Sequence, residues 1–211
     1  MRKYITILVL ALCTGFFCCS TSSDKSKDSV PDPFRKFIKK FKPLHLPSTF
    51  RTSLGAQASA SSPTFEELNG LPEYDGKSND TLFMKDFGPQ TVYYGMLPDT
   101  SNYFGLVLLL KGAEGLPAVL VTFDKSGKQI SQLNLYCGNC MASMEIGWCS
   151  STATLKNDLT IYSVDTIQQI KRDNSLNVID STAEYYTKYI NGKISSDGKI
   201  NMSAEQRKNL K

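Results

Sequence analysis

The sequence predicts a mainly β protein: a β-rich α+β fold with an antiparallel meander sheet, open, curled or barrel-like, behind one short N-terminal amphipathic helix. Three observations predict it. From about residue 83 onward, apolar and polar residues alternate at period two in segments rich in Val, Ile, Thr and Tyr. Turn-forming clusters separate those segments at intervals too short for helical crossovers, so neighbouring strands should pair antiparallel. All nine prolines lie at or before Pro117, leaving the remainder free of the residue that removes a ladder donor.

At 211 residues and 41% hydrophobic composition, the chain suits one globular domain with a real core. Its net charge of +4 falls further once Arg2 and Lys3 leave with an export leader, and a balance this even gives no footprint for nucleic acid. His45 is the single histidine. Metal sites built on two or three imidazoles are therefore excluded, and nucleophilic catalysis through a histidine base would have to use His45.

Taken in order, Met1-Arg2-Lys3 is a basic start, and residues 4–17 form an apolar run. As a helix that run is about 21 Å long, short of a hydrocarbon core of about 30 Å, so it reads as an export signal rather than a span. Phe16-Phe17-Cys18-Cys19-Ser20 follows, then a polar stretch. This resembles the end of a bacterial lipoprotein signal, in which the cysteine after a small residue is acylated. Cys18 is small and Phe17 is not, which selects Cys19. The resulting organisation is a signal peptide over 1–18, a flexible Ser/Lys/Asp-rich tether over 19–31, and a single β-rich domain over 32–211.

Asp32-Pro33 reads as an N-cap followed by proline at N1. Phe34, Phe37, Ile38 and Phe41 then fall at i, i+3, i+4 and i+7, one helical stripe, with Arg35, Lys36, Lys39 and Lys40 opposite. Such a stripe either lies on an anionic membrane surface or docks on the domain core. Pro43 and Pro47 bracket Leu44-His45-Leu46 as an extended, half-exposed segment. Residues 51–64 read as a surface loop, and Thr64 with Glu67 as a capping box for one helical turn before Leu68.

Strands are expected over 91–96, 103–111, 118–124, 129–137, 144–152, 159–166 and 178–190. The segments 106–110 and 118–123 are apolar on both faces and should be central. In contrast, Asp180, Thr182, Glu184, Tyr186 and Lys188 alternate with Ile179, Ala183, Tyr185 and Tyr189, which suits a sheet with one wet face. The basic tail after Ala204 reads as frayed.

The Cys18-Cys19-Ser20 signal end, the Phe41-Lys-Pro-Leu-His-Leu-Pro47 segment, the Thr122-Phe-Asp-Lys-Ser-Gly-Lys128 hairpin and the Ser196-Asp-Gly-Lys-Ile200 turn are short motifs spread over most of the chain. In these features the chain resembles the small lipoproteins of Bacteroidetes-type bacteria. The resemblance implies a fold and an address but no activity.

One constellation bears on chemistry: Cys137-Gly-Asn-Cys140, with Cys149 nine residues on. A thioredoxin-type pair needs a helix after the motif and a downstream proline, and here the following segment reads as a strand with no proline beyond it. A zinc site would need a fourth ligand from His45 or a distant carboxylate. The remaining reading is an export-compartment disulfide among Cys137, Cys140 and Cys149, with Gly138-Asn139 as a hairpin turn and the pairing open. No catalytic residue, metal or cofactor is assigned.

The function expected is therefore a non-enzymatic envelope lipoprotein, a binding or accessory module held at the outer membrane by acylated Cys19. Its partners would be membrane lipid through the anchor and another envelope or secreted protein. An immunity or inhibitor lipoprotein against a secreted toxin or hydrolase is a sharper version. A thiol-disulfide oxidoreductase using Cys137 and Cys140 is the enzymatic alternative.

Overall fold

In a computed structural model of the chain, the residues described are 30–54, 67–99, 101–111, 116–135 and 145–210. The leader, Cys19, the tether up to Ser29, Thr64 of the expected capping box, Cys137, Cys140 and the Gly138-Asn139 turn lie outside them.

The helix α1 spans Asp32–Ile38. It begins one residue earlier than expected: Pro31 occupies the N-cap position and Asp32 lies in the first turn, where its charge suits the helix dipole and where it pairs with Arg35 at 3.3 Å. Strands β1 (Lys42–Pro43) and β2 (Ser48–Leu54) follow, then a 3-10 turn over Asn79–Leu82. The remaining strands are β3 (Val92–Met96), β4 (Phe104–Leu109), β5 (Ala118–Phe123), β6 (Gln129–Asn134), β7 (Ile146–Leu155), β8 (Thr160–Arg172), β9 (Val178–Ile194), β10 (Ile200–Met202) and β11 (Gln206–Asn209).

The fold is mainly β, and its strands form two sheets rather than one meander or a barrel. The first sheet has the order β1-β3-β4-β5-β6, and the second the order β10-β9-β8-β7-β2 with β11 also paired to β9. All described pairings are antiparallel except β1 with β3. The expected strand meander breaks between β6 and β7, which belong to different sheets and do not pair. Consecutive β-formers specify strands, but the choice of neighbour depends on which faces need covering.

Those faces show why the sheets stack. In β4 and β5 every residue is buried. Val107, Leu109, Ala118 and Leu120 face the second sheet, where they meet Phe50, Ala153, Leu155 and Ile161. Leu106, Leu108, Val119 and Val121 face the other way, onto Phe34, Phe37, Phe41 and Met84. A sheet that is apolar on both sides needs two covers, and the result is three layers: a helical layer, then two sheets. The stripe on α1 is thus core, with Phe34 and Phe37 at 0% exposure. Each such burial is worth about 1.5–3 kcal/mol.

The start of the expected 51–64 loop and the expected frayed tail are both in strands. Residues 48–54 pair with β7 from Ser48↔Leu155 to Leu54↔Cys149, and Phe50 of this strand is 3% exposed. The basic tail pairs with β9 from Gln206↔Tyr189 to Asn209↔Tyr186, with the Arg207 guanidinium 3.8 Å from the Tyr186 ring centroid. The facing of β9 also reverses the simple apolar-in expectation. Tyr186 is buried against Cys149 and Ile167, whereas Tyr185 is 47% exposed.

The molecule has two distinguishable poles. At one, the ring of Phe34 abuts Gly127, and the turns of residues 124–128 and 195–199 lie together with the β7–β8 turn. At the other lies the β8–β9 turn, where four residues of β9 stand opposite one of β8 between Gln169/Glu184 and Lys171/Ile179.

Candidate functional site

The candidate site is a groove beside β6, and it exists because β6 is the last strand of its sheet. In an antiparallel pair, alternate residues turn their N–H and C=O toward the partner and the intervening ones turn them away. The Leu135 N–H donates to the Ala118 carbonyl at 2.8 Å, and the Ser131 N–H donates to Thr122 Oγ1 at 3.1 Å. Odd-numbered residues therefore face β5. Gln132 and Asn134 turn their backbone donors and acceptors outward.

The β9–β10 turn packs on the face of this sheet: Thr122 Oγ1 donates to the Gly198 carbonyl at 2.7 Å, and the Ile200 N–H donates to Ser131 Oγ at 3.3 Å. Beside it a cavity of about 540 Å³ opens between β6 and the inner face of the second sheet. Its apolar wall is Leu133, Ile161, Ile190 and Met202, and its charged lining is Asp86 and Glu205. Gln129, Gln132 and Asn134 supply side-chain amides.

The inner face of the second sheet becomes polar next to the groove. Ser163, in the lining, is 2% exposed. Asp165, two residues on, is 0% exposed and in register with Ser151 on one side and Lys188 on the other. Lys188 reaches Glu205 at 3.0 Å. A surface that sets apolar side chains beside amides and outward-turned backbone groups can hold an extended ligand by backbone pairing and hydrophobic contact.

The sequence-derived candidates fall elsewhere. His45 is exposed between β1 and β2, in a smaller recess of about 240 Å³ that also holds Lys42, Glu67 and Tyr94. There burial, and then the Glu67 charge, raise the Tyr94 phenol above its ordinary value. Phe34, Phe37, Ile38 and Phe41 are in the helical layer of the core. Cys149 sits on β7 at 0% exposure, and its sulfur is not a free thiol. Cys19, Cys137 and Cys140 lie outside the described residues. The described strands on either side of the Cys137-Gly-Asn-Cys140 segment, β6 and β7, belong to different sheets. None of the described candidates lines the groove. The signal for the groove was the amide-rich Gln129-Ile-Ser-Gln-Leu-Asn134, a strand with little apolar demand on its outer side.

No helix among the described residues is long and apolar enough to cross a membrane. No family model matches this chain, and neither the curated proteins nor the solved structures provide a match.

Proposed function

We propose that the chain is a non-enzymatic envelope lipoprotein that works as a binding module, anchored in the outer membrane through acylated Cys19 and engaging another envelope or secreted protein. The observation that carries the binding role is the groove of about 540 Å³ beside the outward-turned backbone of Gln132 and Asn134. The anchor rests on the basic start, the short apolar run and the Cys18-Cys19-Ser20 end of that run. In this reading Cys149 closes a disulfide with Cys137 or Cys140, a staple suited to an oxidising compartment.

The polarity of the fold supports the arrangement. The first described residue, Val30, packs with the cluster that holds Phe34, whose ring abuts Gly127, at the pole opposite the β8–β9 turn. Metabolic labelling with a fatty acid tests the anchor: the label should enter the protein and vanish in Cys19→Ala. A photoreactive residue at position 132 tests the binding role in growing cells. It should crosslink to a protein that the same residue at Lys77, on the helical layer, does not reach. Persistent labelling in Cys19→Ala, or identical crosslinks from both positions, would overturn the reading.

A further inference from the structure

Sheet edges are templates for another strand, and folded proteins protect them with charge, proline, shortness or cover. The other edges of this molecule carry such devices. The strand β1 has two residues, one of them Pro43; β2 carries Arg51; β10 has three residues; and β11 carries Arg207 and Lys208. The edge of β6 at Gln132-Leu133-Asn134 has no lysine, arginine or proline, and among the described residues it faces a cavity and no further strand.

We propose that this edge is a β-augmentation site: an extended segment of a partner protein lies in the groove as a further strand, its backbone paired with Gln132 and Asn134. Strand addition takes its affinity from main-chain hydrogen bonds and its selectivity from alternate side chains. Here one set of side chains would meet Leu133, Ile161, Ile190 and Met202. The other would pass the Asp86 carboxylate, while Glu205 in the same lining is held by Lys188. The segment that fits alternates aliphatic residues with lysine or arginine. The chain's own tether does not fit, because residues 20–29 contain no apolar side chain to cover the floor. This inference rests on the binding-module reading and gives it a ligand class.

The test uses the full chain in detergent micelles and the peptide acetyl-Lys-Val-Lys-Val-Lys-Val-amide. Two control peptides accompany it, one with glutamate for lysine and one with the valine backbone nitrogens methylated. Saturable binding is expected, with slowed hydrogen exchange at the Gln132 and Asn134 amides. Both control peptides should bind at least about tenfold more weakly, since each lost hydrogen bond or charge contact is worth about that factor. Gln132→Pro should abolish binding while Gln132→Ala keeps it, because the Gln132 N–H points away from β5 and proline is tolerated at such an edge. If Gln132→Pro fails to fold, the methylated peptide on the native chain carries the same comparison.

Equal binding of the methylated peptide would overturn the proposal. So would protection of the Gln132 and Asn134 amides before peptide is added, which would mean the chain covers its own edge. Dimerisation lost in Gln132→Pro without any peptide binding would assign the edge to a second copy instead. Acylation is read separately by fatty-acid labelling. A labelled protein that ignores the peptide overturns the groove assignment alone, and an unlabelled one that binds it overturns the anchor alone.

Discussion

The Tyr93 hydroxyl donates to the Asp80 carboxylate at 2.5 Å, and this bond joins the first sheet to the helical layer in a buried setting. Asp80 is 6% exposed and Tyr93 1%. Lys40, just beyond α1, completes the group by pairing with the same carboxylate oxygen, with its ammonium 5.2 Å from the Tyr93 ring centroid. One acidic side chain thus ties the first segment of the domain to β3.

Removing one member should cost more than the bond itself, because a buried carboxylate loses a partner. Tyr93→Phe is expected to lower unfolding free energy by about 1–3 kcal/mol. The further change Asp80→Asn in that background should cost much less than it does alone. Urea denaturation of the four proteins in the cycle measures the coupling.

Burial, followed by the hydrogen bond to Asp80 and the Asp80 charge, pushes the Tyr93 phenol far above its ordinary value of 10.0. Burial raises the phenols of Tyr94 and Tyr103 in the same direction. A raised folded value means that the contribution is fully present below the unfolded value and is lost as pH climbs from 10.0 toward the folded one. Stability should be flat in these groups from neutral pH to about 9 and fall above 10. The fall should be shallower in Tyr93→Phe, as read by denaturation at fixed temperature across that range.

At the acid end the turns dominate. Asp124 is raised by partial burial, yet bonds from the Ser126 hydroxyl and the Lys128 and Ser126 N–H groups hold it below its ordinary 3.8. Asp173 is lowered by the Asn177 N–H first, and Asp197 by the Ser195 hydroxyl first. Depressed folded values contribute stability above 3.8 that is lost as pH falls through them. Below pH 3.8 the chain should lose stability progressively, and Asp124→Asn should lose less over the same range while starting lower.

The same turns make a backbone comparison. Gly127 and Gly198 take φ of 86° and 82°, and Leu176 takes 66° at the matching place in the β8–β9 turn. A leucine there is strained by about 1–2 kcal/mol, partly offset by the greater unfolded freedom of glycine. Leu176 is 60% exposed, so little burial is lost on truncation. Leu176→Gly should raise stability by about 0.5–1 kcal/mol. Gly127→Ala should lower it by about 2 kcal/mol, since a Cβ there would lie 2.8 Å from Phe34 Cγ. Thermal and urea unfolding of the two variants give opposite signs.

Much of the strand layout could be read from periodicity. Strands β3 to β9 lie where alternation and turn chemistry place them, with boundaries displaced by up to six residues, the most at the end of β8. The double-sided burial of β4 and β5 was legible because both faces are apolar. The outer elements were not. Residues 51–54 and 206–209 are polar enough to read as loop and fray, and they are in strands because β7 and β9 have backbone groups to satisfy on those sides. Tyr186 turned inward for a similar reason: Ile167 and Cys149 need a cover, and alternation alone does not say which of two mixed faces supplies it.

By itself the sequence determined the β class, the apolar stripe of α1, and the turns closed by Asp124, Asp173 and Asp197. These are local matters of side-chain period, backbone φ and hydropathy. Only the tertiary structure decided that the strands divide into two stacked sheets, that the α1 stripe belongs to the core, and that β6 ends its sheet beside a groove. Sheet order and edge exposure depend on contacts between residues such as Thr122 and Gly198, far apart in the chain, and no local pattern encodes which edge is left open.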